Sequence, residues 1–149
     1  MWEAFCRCIG HDLGYELAEQ SFHAPLNGQM LRLAQRLRAD SYKVGIITNN
    51  TRERFKVIRD DHDLDKIFYP IIVSGEVGHK KGSQQNPDAI FRIALKRLAL
   101  SPGEAVFIDN NSRYLHAPRS IGINAIHHDD SKIDDISRIV AELERLGMY

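Results

Sequence analysis

Val44–Asn50 reads VGIITNN, a short apolar run with β-branched side chains that closes on a hydroxyl and two amides. The pattern predicts a buried strand over Tyr42–Thr48. Three similar runs follow: Ile71–Ser74 (IIVS), Ala105–Asp109 (AVFID) and Asn124–His127 (NAIH). Helical spacing separates them. LNGQMLRLAQRLRAD puts Met30, Leu33, Ala34 and Leu37 on one stripe, and Arg52–Arg59 turns Phe55 and Ile58 inward. Pro87 opens a helix carrying Ile90, Phe91, Ala94, Leu95 and Leu98. A helix is expected over Ser112–Ile121, with Pro118 inside it as a kink. The last helix is expected from Ser131, with Asp134 as a capping-box-like partner and Ile136, Val140, Leu143 and Gly147 on its inner face. Strands alternating with helices predict a three-layer α/β domain with a parallel sheet.

In such sheets ligands sit beyond the carboxyl ends of the strands. The first strand ends Thr48-Asn49-Asn50. The second runs through Ser74-Gly75 into EVGHKK, and the third ends Asp109-Asn110-Asn111. One rim therefore gathers a hydroxyl, two lysines, a carboxylate and amides. A hydroxyl and an ammonium hold phosphate oxygens. A carboxylate beside an amide oxygen suits Mg²⁺.

Composition narrows the classes. The 149 residues are 43% hydrophobic and 27% charged, with 20 basic against 20 acidic side chains. That is the profile of one globular domain without the net field of a nucleic-acid binder. No run is long enough to span a membrane, and the N-terminus, MWEAFCRCIGHDLG, lacks a secretory pattern. Cys6 and Cys8 read as free thiols in a reducing, cytoplasmic compartment. Trp2 and Phe5 read as helix packing. Asp61-His62-Asp63-Leu64-Asp65 fails as a calcium loop, with Lys66 where Gly is needed, and reads as a solvated helix end. His127-His128-Asp129-Asp130 reads as an exposed loop rather than a metal site.

Three blocks, VGIITNN, VSGEVGHKK with PDAIF, and EAVFIDNNSRYLHAPRSIGINAI, together resemble the haloacid dehalogenase-like (HAD) hydrolase superfamily. They look most like its branch with a small helical cap, which includes phosphatases and dehalogenases. The resemblance implies a Rossmann-like core over residues 25–149 and the end of a cap over 1–24. By it, Thr48 binds the transferred phosphoryl group, with Asn49 and Lys81 also facing the substrate. Lys81 neutralises charge, and Asp109 with Asn110 holds Mg²⁺. The implied substrate is a small phosphorylated or halogenated molecule, attacked by an aspartate.

That aspartate has no counterpart. The family's first motif, Asp-x-Asp at the end of an N-terminal strand, is not found among residues 1–47. The fourth motif has Asn110 where a second acid is usual, and Gly82-Ser83-Gln84-Gln85 follows Lys81 in place of the usual proline. The expectation is a catalytically incomplete, truncated hydrolase, with a non-catalytic binding module as the alternative. The family's strand order places the missing strand between those ending at Thr48 and Asp109. It leaves a slot there, with unpaired edges that favour a homodimer.

Overall fold

A computed structural model describes residues 25–132 and 135–148. Cys6, Cys8, Trp2, Phe5, the cap segment and Asp134 lie outside them. The element order is α1 (Gly28–Ala39), β1 (Ile46–Thr48), α2 (Arg52–Asp61), β2 (Ile71–Val73), α3 (Ser74–Val77), α4 (Ala89–Leu98), β3 (Val106–Asp109), α5 (His116–Ser120), β4 (Asn124–His127) and α6 (Asp135–Arg145). Single 3-10 turns stand before β2, β3 and α5. Asn27 caps α1 by accepting from the Gln29 and Met30 amides, and Thr51 caps α2 by accepting from Arg54.

Two parallel pairs form, β1 with β2 and β3 with β4, and no hydrogen bonds join one pair to the other. Neighbouring strand residues point to opposite faces, and the core follows that alternation. Ile47, Ile72 and Phe107 pack with Phe91 and Leu95 of α4. Val106, Ile108 and Ile126 pack with Leu33 and Leu37 of α1 and Ile139 and Leu143 of α6. Ile46, Ile71 and Val73 pack with Phe55 and Ile58 of α2. Helices thus cover both faces, giving the expected three-layer α/β, Rossmann-like architecture.

Several expected boundaries move. The first strand starts at Ile46 rather than Tyr42. Tyr69 N donates to Val44 O and Ile46 N to Pro70 O, but Pro70 has no N–H, so the regular ladder begins only beyond it. The helix expected from Pro87 begins at Ala89. The segment expected as one helix over 112–121 is a 3-10 turn at Ser112–Leu115 followed by α5, with Pro118 buried within it. The last helix begins at Asp135, and Gly147 lies past its end at φ 75°, not on its inner face. Asp61-His62-Asp63-Leu64-Asp65 does close a helix. Asp63 adopts a left-handed conformation, and Asp65 pairs with Arg59.

Candidate active site

The carboxyl ends of β1, β2 and β3 meet on one rim. Lys81 Nζ lies 2.5 Å from Asp109 Oδ2, with side chains only 10% and 7% exposed. The ammonium also stands over two rings, 5.0 Å from the centroid of Tyr114 and 5.7 Å from that of Phe107. Lys80 is exposed, so Lys81 is the lysine of the pair that reaches this rim.

Asn49 fixes the Lys81 backbone twice. Its Nδ2 donates to Lys81 O at 3.0 Å, and its Oδ1 accepts from Lys81 N at 2.8 Å. The neighbouring Thr48 hydroxyl accepts from Asn50 Nδ2, while Asn50 Oδ1 accepts from Arg54. Ser74, expected as the end of the second strand, is instead the first residue of α3 and closes the rim directly after β2. Its hydroxyl accepts from Asn50 N and donates to Asn50 O. Gly75 follows because a Cβ there would stand 2.9 Å from Asn50 O and 3.0 Å from Arg52 N. Asn49, Lys81 and Asp109 are therefore one hydrogen-bonded group, and Thr48 precedes Asn49 at the same strand end. The double clamp from Asn49, the aromatic walls at Phe107 and Tyr114, and the Ser74 closure were not foreseen from sequence. Only the clustering of polar residues at strand ends pointed to them.

The rim around Asp109 has the oxygen chemistry of a hard-cation site in part. Asp109 Oδ1 accepts from Asn111 N, and Oδ2 is held by Lys81. Asn110 Nδ2 donates to Asp130, and His127 Nε2 lies 2.9 Å from Asn110 O. Asp109 is the one buried carboxylate of this group, and Lys81 already balances its charge. No three His, Cys, Asp or Glu side chains gather to hold a metal among the described residues. Among these residues Asp109 is the one charged ligand that a Mg²⁺ ion would meet.

The HHDD loop is structural. His128 Nδ1 lies 3.0 Å from Asp135 Oδ2, and Asp129 N and Arg138 donate to the same carboxylate. Arg138 also reaches His127 O and Glu142. Asp135 is fully enclosed, and the Arg138 hydrogen bonds, with help from His128 and Asp129, hold its carboxyl well below the usual carboxylate range.

Comparison with known proteins places this geometry. The sequence profile of the haloacid dehalogenase-like hydrolases matches residues 15–128. A HAD phosphatase from Thermococcus onnurineus superposes with a TM-score of 0.66 at 25% identity, over 88% of this chain and 61% of that one. An uncharacterized protein of Corynebacterium glutamicum superposes with a TM-score of 0.62 at 16% identity, over 81% and 85%. The mouse protein described as acyl-CoA dehydrogenase family member 10 is 29% identical over 121 residues, which is 78% of this chain and 10% of that protein. The chain therefore spans less than two-thirds of the mouse and Thermococcus proteins. With parallel strands, helices on both faces and a Lys–Asp pair at their carboxyl rim, the chain belongs to the haloacid dehalogenase-like hydrolase family.

Proposed function

We propose that this chain is the core of a phosphatase-type HAD hydrolase and is catalytically incomplete as it stands. The buried Lys81–Asp109 pair at the strand rim carries the reading. Thr48 orients a phosphoryl oxygen of a small phosphorylated substrate, and Lys81 balances charge that builds on it. Asn49 sets Lys81 through its backbone. The implied reaction is attack by an aspartate carboxylate, then hydrolysis of the aspartyl intermediate. Among the described residues the strands end in Thr48, Val73, Asp109 and His127. Asp109 is tied to Lys81, so none of these strand ends offers a free carboxylate to attack. Asp109 and Asn110 bind Mg²⁺ only weakly, since the amide brings no charge. The setting is cytoplasmic, and no helix among the described residues is long and apolar enough to cross a membrane. Association of two copies belongs to the same reading, because β1 and β3 each keep an unpaired edge among the described residues. A second reading, a binding module that retained the scaffold, is favoured by Asn110, whose amide is engaged by Asp130.

The test is turnover of p-nitrophenyl phosphate with Mg²⁺ by the 149-residue chain, with Asp109→Ala as control. The expected rate equals that without protein. Turnover that disappears in Asp109→Ala would reveal a working nucleophile in this chain and overturn the proposal.

A further inference from the structure

Asp109 serves two partners at once. Its Oδ2 holds the Lys81 ammonium, and its Oδ1 accepts from Asn111 N. Asn111 in turn caps the 3-10 turn at Ser112–Leu115. Its side chain accepts from Arg113 N, and its carbonyl accepts from Tyr114 N at 2.9 Å. Leu115, 1% exposed, pins the turn to the core. The carboxylate that holds the ammonium therefore also starts the turn that presents Tyr114 to it. Lys81 Nζ stands over two rings, and their settings differ. Phe107 belongs to the core and meets Phe91 edge-on at 5.0 Å. Tyr114 is half-buried and comes from beyond the strand end, forming the wall on the loop side. The residue after the lysine is fitted to that wall. Gly82 sits at φ 77°, and a Cβ there would stand 2.9 Å from Tyr114 Cε1. The left-handed backbone and the ring contact both call for glycine.

We propose that Tyr114 is a positioning residue for Lys81, its ring face holding the ammonium in place against Asp109. A lysine carries its charge on a flexible alkyl stem with rotatable donors. One carboxylate oxygen fixes one donor and leaves the stem free to swing about it. A ring face attracts the cation through its quadrupole without taking up a donor. With Tyr114 on the loop side and Phe107 on the core side, the ammonium has one place to rest. An apolar side chain of similar size would cover the stem but offer no negative face. The role rests on the reading of Lys81 as the charge-balancing group, since an ammonium already in place needs no reorganisation when charge builds beside it.

The test is competitive acetylation of the full chain with trace acetic anhydride, read by mass spectrometry as the ratio of Lys81 to Lys80. Lys80 is exposed and serves as the internal reference. Native Lys81 should label far more slowly than Lys80. Tyr114→Phe keeps the ring and should keep that ratio. Tyr114→Leu keeps an apolar cover but loses the negative face, and should raise the ratio about fivefold. Packing alone would make the two variants equivalent. An unchanged ratio in Tyr114→Leu, or an equal rise in both variants, would overturn the role of the ring. The native chain supplies a second reading should the leucine variant not fold. Its Lys81 Hε protons should show nuclear Overhauser contacts to the Tyr114 ring and resonate upfield of those of Lys80. Their absence would overturn the proposal. Turnover enters neither measurement. Phosphatase activity in the native chain would overturn the incomplete-hydrolase reading and leave these results as they stand.

Discussion

Removing the Lys81 ammonium leaves the Asp109 carboxylate almost enclosed without its cation. Lys81→Met should therefore destabilise the chain by about 3 kcal/mol in urea unfolding. Lys80→Met, at an exposed position, should change stability by less than about 0.5 kcal/mol. Equal effects of the two would contradict the pairing. Asp135 makes a pH prediction. Its folded carboxyl is held below the usual range by Arg138 first, then His128 and Asp129. A depressed folded pKa stabilises the protein above the unfolded value of about 4, and that contribution is lost as pH falls below it. Urea midpoints should therefore drop more steeply from pH 5 to pH 3 (about one unit either side of that value) for the native chain than for Asp135→Asn. Parallel curves would contradict the assignment. Thr48 and Asp109 stand out in the sequence because each closes an apolar strand, whereas Lys81 lies eight residues past β2 and is singled out only by the family resemblance. Asp135 does not stand out, since a buried acid at a helix start looks like any helix-opening carboxylate until its partners are placed.

At the scale of elements, periodicity located each strand and long helix among the described residues, but not their ends. Pro70 set the start of the β1–β2 ladder and Pro118 shortened the helix around it, because each lacks a backbone donor. The loop after β1 is held by the start of α3 through Ser74 and Gly75, and the Gly75 amide donates to Asn50 O at 3.0 Å. Gly75→Ala would push a Cβ into the Asn50 and Arg52 backbones and should cost about 1–3 kcal/mol. Urea unfolding checks this, and a neutral substitution would mean that the loop yields more freely than its contacts imply.

Over the whole molecule, the proposed reading gives one cause to the separation of the β1–β2 and β3–β4 pairs among the described residues and to the incomplete rim. A central strand would join β1 to β3, fill the slot between the helical layers, and bring its own end beside Lys81 and Asp109. The sequence points to such a strand only through the family resemblance. Local patterns report the strands that are present, not the space between them. The direct measurement is phosphomonoester turnover by the chain extended at Met1 with an apolar strand ending in Asp-x-Asp, against the same extension ending in Asn-x-Asn. Turnover by the Asp extension alone, abolished by Lys81→Met, is the expected result. An Asp-extended chain that folds, occupies the slot and still turns over no phosphate ester would contradict the hydrolase account.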